Sequence, residues 1–186
     1  MDQGGVRAGQ HERQYDQPFV LMEGDRVALG PLHRDLPYQR WLSAFATTRT
    51  VGKSRPMTEE QATAWYERHT ANEREAHFAI YERATWRPIG TTMLMDIDLE
   101  NRRAEFGIVI GEPDSRGKGY GTETTRLMLD YAFTARGLGN VLLTVNAYNL
   151  AGLRAYEKAG FREFGRRRAC RYMGGQMWDL VYMGSD

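Results

Sequence analysis

The sequence predicts an α/β fold, a mixed central sheet flanked by helices, on three observations. Apolar alternation marks strands through the middle of the chain, and amphipathic stretches with capping signals lie before and between them. A basic, glycine-rich turn within Ile108 to Thr122 joins a strand to a helix. Strand, helix, strand, helix and a closing hairpin are laid down most economically as one sheet with helices over its faces.

Met1 to Pro18 is polar and glycine-containing with little to bury, so 1–18 is expected to be a flexible arm and 19–186 a single domain. Arg26 to Gly30 is a short first strand. Asp35 to about Phe45 is expected to be helical, with Leu36, Trp41, Leu42 and Phe45 on an apolar face. Thr58 followed by Glu59, Glu60 and Gln61 is a capping-box pattern, which starts a helix running to about His69. The loop between these helices, rich in Thr, Arg and Gly, is free to vary and is the expected place of substrate selection.

His77 to Glu82 and Ile89 to Asp96 read as strands around a turn ending in Arg87 and Pro88. Arg102 to Gly111 follows, with Ala104, Phe106, Ile108 and Ile110 on one face and Glu105, Gly107 and Val109 on the other. Thr122 to about Arg136 has helical apolar spacing and ends at Gly137 and Gly139. Val141 to Val145 is apolar enough for an interior strand. Asn149 can cap a helix from Leu150 to Ala159 that leaves through Gly160. Phe161 to Tyr172 and Gln176 to Met183 form an antiparallel pair through Gly174 and Gly175.

The chain has 186 residues and a net charge of +1 from 25 basic and 24 acidic side chains. That balance gives no reason to expect nucleic acid or an anionic membrane as partner. The one cysteine, Cys170, cannot form an intrachain disulfide. No apolar run approaches the roughly 20 residues a membrane-crossing helix needs, and the amino terminus lacks a signal-peptide core. A cytoplasmic protein is expected.

The chemistry of the turn is that of an anion site. Gly117, Gly119 and Gly121 let the backbone curl and approach a ligand closely, and the helix beginning near Thr122 turns unpaired N–H groups into the same concavity. Arg116 and Lys118 add positive charge. A surface turn in which glycine only solves backbone geometry is the competing reading. The glycine order is neither GxxxxGK[ST] nor GxGxxG, which removes support for a nucleoside-triphosphate loop or a dinucleotide fingerprint.

Arg116-Gly117-Lys118-Gly119-Tyr120-Gly121, then Asn146, Asn149 and Ala155-Tyr156-Glu157-Lys158-Ala159-Gly160-Phe161, together resemble the GCN5-related N-acetyltransferase (GNAT) superfamily. The likeness is greatest to the branch of ribosomal-protein amino-terminal acetyltransferases and spermidine acetyltransferases, and it runs from about Phe19 to Gly184. It implies acetyl coenzyme A as cosubstrate, held between two splayed parallel strands, here Ala104 to Gly111 and Val141 to Val145. It implies pyrophosphate binding by Arg116, Gly117, Lys118, Gly119, Tyr120 and Gly121 with Thr122 beside them. Backbone groups of Ile108 and Ile110 would pair with the pantetheine arm. No metal is implied.

The same resemblance assigns Tyr156 to proton transfer toward the leaving thiolate, against the alternative of an aromatic ring packed between helix and sheet. Asn149 is either a coenzyme contact or simply a helix cap, and Asn146 either a contact or a strand terminator. Glu105 is the candidate for binding the amine or for its water-mediated deprotonation, the alternative being a carboxylate paired with Arg103. His11, His33, His69 and His77 lack tight zinc spacing, so a catalytic metal is not expected. Cys170 reads as a packed small side chain, and Arg166 to Arg168 as a solvated strand face.

The expected function is transfer of an acetyl group to a primary amine, of a peptide, a polyamine or another small molecule, by direct attack on the thioester. A catalytically weak acyl-coenzyme A binding or regulatory module is the alternative. The resemblance also implies pairing of two copies as a homodimer.

Overall fold

In the computed structural model, which describes residues 15–52 and 55–186, the alternating segments pair into one eight-stranded sheet. The strands are β1 (Met22–Glu23), β2 (Val27–Pro31), β3 (Ala76–Glu82), β4 (Pro88–Asp98), β5 (Arg103–Ile110), β6 (Asn140–Asn146), β7 (Arg162–Met173) and β8 (Gln176–Ser185). They stand in the order β1-β2-β3-β4-β5-β6-β8-β7, and only β5 and β6 run parallel. The helices are α1 (Tyr38–Ser43), α2 (Phe45–Val51), α3 (Glu59–Thr70), α4 (Tyr120–Asp130) and α5 (Leu150–Ala159).

The two faces of the sheet bury different helices because strand side chains alternate. Phe78, Ile80, Leu94, Ala104, Phe106, Val141 and Leu143 meet Met128 and Leu129 of α4 in the larger core, with Leu153 and Tyr156 of α5 packed against it. Ala79 and Tyr81 face the other way and pack with Trp41 of α1 and Ala62 of α3.

The capping box forms as expected: Thr58 Oγ1 accepts from the Gln61 N–H and Gln61 Oε1 accepts from the Thr58 N–H. The closing turn also forms, with Gly174 and Gly175 at φ 63° and 84°, a left-handed pair suited to a tight hairpin. Three boundaries differ from expectation. The first helix breaks at Ala44, which adopts extended dihedrals, so a second helix, α2, begins at Phe45. Phe45 consequently points outward at 61% exposure instead of joining the apolar face of Leu36 and Trp41. The helix after the glycine turn starts at Tyr120, because Gly119 itself serves as the left-handed N-cap. Its expected tail ends in a π-helical turn, Tyr131–Ala135. Of the expected amino-terminal arm, residues 1–14 lie outside those described. Tyr15 donates its backbone N–H to the Thr85 carbonyl at 3.0 Å.

The feature that positions a site is the loss of pairing between the parallel strands. β5 and β6 are joined at Arg103↔Asn140, Ala104↔Val141 and Glu105↔Leu142, and no further. Beyond Glu105, β5 stays with β4 through Ile110, while β6 stays with β8 through Asn146. Phe106 to Ile110 and Leu143 to Asn146 therefore form the two arms of a V.

Candidate active site

The V opens onto a cavity of about 410 Å³, within the range of small-molecule sites. Ile108, Val109 and Ile110 of β5 form one wall, and Asn149, Gly152, Ala155 and Tyr156 the opposite one. Gly117, Gly119, Gly121 and Thr122 close one end. Gly117 and Gly119 have φ of 74° and 82°, where a side chain is strained. A Cβ added to Gly117 or Gly121 would meet nothing within 4 Å, so the turn leaves open space over its backbone. The 11-residue helix α4 begins at this end with no side-chain cap on its first N–H groups, which leaves them able to bind an anion. The residues present thus fit a pyrophosphate.

The charged groups around the turn divide their work in a way the sequence did not announce. Arg116 lines the cavity, but its guanidinium donates to the Ile110 carbonyl at 3.0 Å, the Ala46 carbonyl at 2.9 Å and Thr47 Oγ1 at 2.6 Å. It ties α2 to the end of β5. Lys118 is absent from the cavity wall, and its carbonyl accepts from Arg26 at 2.8 Å. Tyr120 turns into the core, where its hydroxyl donates to Glu82 Oε1 at 2.6 Å, and burial pushes its pKa up to about 12. Glu123 accepts from the Arg26 N–H at 2.8 Å and Arg26 Nε at 3.1 Å, fastening α4 to the start of β2. Arg154 and Lys158, on α5, bring cationic side chains to the cavity wall.

Of the two readings of Asn149, the helix cap is observed. Its Oδ1 accepts from the Gly152 N–H at 3.0 Å, capping α5, and the residue also lines the cavity. Asn146 is buried at the end of β6 and donates from Nδ2 to the Thr50 carbonyl at 3.0 Å. Its Oδ1 is buried with no hydrogen-bond partner among the described residues. Tyr156 stands at the neck between this cavity and a second one. Its ring meets Phe106 and Phe161 edge-on, at centroid distances of 6.1 and 6.2 Å. Burial pushes the phenol pKa up to about 12, so it is a proton donor at neutral pH. The hydroxyl has no hydrogen-bond partner among the described residues.

The second cavity, about 370 Å³, lies on the α3 side of the sheet and shares Thr50, Val51, Ile108, Val109, Asn149 and Tyr156 with the first. Glu105 lines it. Burial, and then the nearby charge of Asp96, push its carboxyl above its ordinary pKa. Arg103, its alternative partner, pairs instead with Asp98 at 3.4 Å. Arg171 of β7 lines the same cavity, so it is acidic at one point and not throughout.

Two contributors were missed. The loop expected to select substrate contains α2, which brings Thr50 and Val51 to both cavities; a helix of seven residues has too little periodicity to stand out. His69, Glu75 and His77 converge, with one ligand-capable atom from each lying within 4.8 Å of the others. The close Glu75-x-His77 spacing was the available signal, but His69 joins it only through the turn of the chain after α3. His11 lies outside the described residues. The other sequence expectations away from the cavities are less eventful. Cys170 is half-buried with its Sγ 3.3 Å from the Arg167 carbonyl, and Arg166 pairs with Glu163 at 2.7 Å on an exposed strand face. Among the described residues no helix is long and apolar enough to cross a membrane.

Comparison with known proteins agrees with this geometry. A family model described as an acetyltransferase (GNAT) domain matches residues 26–162. The spermidine N(1)-acetyltransferase of Escherichia coli (strain K12) is 30% identical over 159 residues, 84% of each chain. The putative ribosomal N-acetyltransferase YdaF of Bacillus subtilis (strain 168) is 34% identical over 93 residues, 50% of each chain. Among solved structures, spermidine N-acetyltransferase from Vibrio cholerae in complex with CoA and spermine superposes with a TM-score of 0.79. It is 25% identical and covers 87% of this chain and 95% of that one.

Proposed function

Because this chain belongs to the GNAT acetyltransferase family and carries out acetyl-coenzyme-A-dependent transfer to an amine, we propose that its acceptor is a primary amine of a polyamine, taken up in the α3-side cavity. The observation that carries this reading is Glu105, a carboxylate on the wall of a cavity that meets the coenzyme cavity at Tyr156. Spermidine acetyltransferases among the relatives add to it.

In this reading the backbone of Gly117 to Gly121 and the start of α4 bind the pyrophosphate, assisted by Arg154 and Lys158. Acetyl coenzyme A, when bound, supplies an activated thioester carbonyl. Ile108 and Ile110 orient the pantetheine arm along β5. Glu105 attracts the ammonium, and Tyr156 donates its proton to the departing sulfur. Asn149 holds α5, and therefore Tyr156, in register with the opening. Arg171 stands in the same cavity and disfavours a second ammonium beside it, so a long polyamine would extend its far end away from β7.

Free thiol release with acetyl coenzyme A against spermidine, spermine, short peptides and aminoglycosides, followed by product mass, tests the assignment. The highest kcat/KM is expected for a polyamine, with one acetyl group added. A preference for a peptide α-amine would overturn the acceptor assignment while leaving acetyl transfer intact.

A further inference from the structure

The end of α3 and the start of β3 carry a second set of ionisable groups to the acceptor cavity. Oε2 of Glu75 lies 2.5 Å from His69 Nδ1 and 2.7 Å from His77 Nε2. An ionised carboxylate only accepts, so each imidazole directs an N–H at Glu75, which in a neutral His77 leaves the lone pair on the second ring nitrogen. For His77 that nitrogen, Nδ1, is buried and has no partner among the described residues, while the residue itself lines the cavity. Ring packing fixes the arrangement: His69 and His77 centroids are 4.8 Å apart, and Trp65 lies 4.6 Å from one and 5.7 Å from the other.

Sheet register places His77 on the same face of the sheet as Glu105. His77 pairs with Met93, which pairs with Gly107, and Met95 pairs with Glu105 in the adjoining row. His77 and Glu105 therefore stand on one face, with β4 between their strands and a separation of about 10 Å between the strand axes. Gly107 leaves that interval to the side chains of Met93 and Met95, which a Cβ on Gly107 would meet at 3.2 and 3.3 Å.

We propose that His77 accepts the proton of the incoming ammonium, with Glu75 as the residue that holds its tautomer and His69 as the second anchor of Glu75. This rests on the amine reading above. Burial first, then the neighbouring His69, pull the His77 pKa below its ordinary value against the opposing pull of Glu75, which keeps the imidazole neutral near pH 7. Burial alone would raise the pKa of Glu75, but hydrogen bonds from both imidazoles outweigh it and hold the carboxyl below its ordinary value. The other charged or titratable groups of the cavity are Glu105, Arg171 and Tyr156, with Asp96 close to Glu105. Of the three ammonium protons, one passes to His77 and then to solvent, one reaches the departing sulfur by way of Tyr156, and one remains on the amide. The C–N bond forms as the C–S bond breaks, and the sum releases one proton.

A metal ion is the other use such residues have. Ligands at zinc bond lengths stand roughly 3.3 Å apart, whereas these atoms are at hydrogen-bonding separation, which favours the proton assignment.

The test uses the full chain with His77→Gln, whose amide N–H can still donate to Glu75 but which has no basic nitrogen to take a proton. With acetyl coenzyme A and the amine the unsubstituted protein turns over best, kcat is expected to fall about 100-fold at pH 7. KM for acetyl coenzyme A should be unchanged, and the deficit should shrink as pH approaches the amine's own pKa of about 10. Nitrogen-15 NMR of the unsubstituted protein should show His77 as the neutral Nε2–H tautomer. Undiminished kcat, or an equal loss at every pH, would overturn the assignment. So would loss of turnover on chelation together with a stoichiometric bound metal. Failure of the unsubstituted protein to release thiol with any amine would overturn both readings, and is distinguished because it precedes any substitution.

Discussion

The indole Nε1 of Trp41 donates to Oε1 of Glu112 at 2.7 Å, in the layer between α1 and the end of β5. Both side chains are buried, and Arg40 and Arg87 complete the carboxylate's set, Arg87 Nη2 at 2.6 Å from Oε2 and Arg40 to both oxygens. A Cβ on Gly111 would fall 2.1 Å from the Trp41 ring, so the strand passes directly over the indole on its way to the phosphate turn. This contact fixes where the turn begins.

Replacing Glu112 by Ala leaves the Trp41 N–H buried without an acceptor and two arginines without their counter-charge. With Arg40 largely exposed, a cost of about 2–4 kcal/mol is expected in urea unfolding at pH 7. Burial raises the pKa of Glu112, but the bonds from Arg40 and Trp41 outweigh it and hold the pKa below its ordinary value. The contribution is therefore present above the unfolded carboxylate pKa and is lost as pH falls through the folded one. Unfolding curves of the protein and of Glu112→Gln should converge in acid.

Gly121 separates folding from ligand binding. It lines the coenzyme cavity, and an added Cβ meets nothing within 4 Å. Gly121→Val is expected to leave the melting temperature of the free protein nearly unchanged and to weaken acetyl coenzyme A binding by about tenfold or more, equivalent to about 1.4 kcal/mol. Calorimetric titration beside a thermal melt reads both quantities.

Tyr156→Phe keeps the ring that packs against Phe106 and Phe161 and removes the proton. Turnover should drop by about 10²-fold or more with coenzyme affinity intact. Unchanged kcat would remove Tyr156 from the reaction.

Glu105→Gln should act in opposite directions on stability and activity. Because the folded pKa of Glu105 is raised, the native state holds its proton longer than the unfolded state, and stability falls as pH rises through the folded pKa. Below the unfolded carboxylate pKa the protein and the variant should melt alike. At pH 7 the variant should melt higher, while its kcat/KM for the amine falls.

Much of this was legible in the residues because the decisive elements are local. The capping box at Thr58, the cap at Asn149, the left-handed exit at Gly160 and the Gly174-Gly175 hairpin are each set by neighbours in sequence. Glu105 and Tyr156 were found by strand alternation and motif, and they line the cavities. What escaped depends on contacts distant in the chain. The break at Ala44 turned Phe45 outward and delivered Thr50 and Val51 to the site. Gly119 became the N-cap, which moved the helix start to Tyr120 and turned that tyrosine to Glu82 rather than to the cavity. Arg116, read as a phosphate cation, lines the cavity with its guanidinium bonded to α2, and Arg154 and Lys158 of α5 line it too. The histidine cluster needed sheet register to bring His77 next to a helix end.

A crystal structure of the full chain with coenzyme A and a polyamine tests the central claim most directly. The linked phosphates are expected within about 3 Å of the backbone nitrogens of the Gly117 to Gly121 turn, with the sulfur beside the Tyr156 hydroxyl and the amine in the cavity lined by Glu105. Phosphates bound elsewhere, or a sulfur remote from Tyr156, would contradict the account.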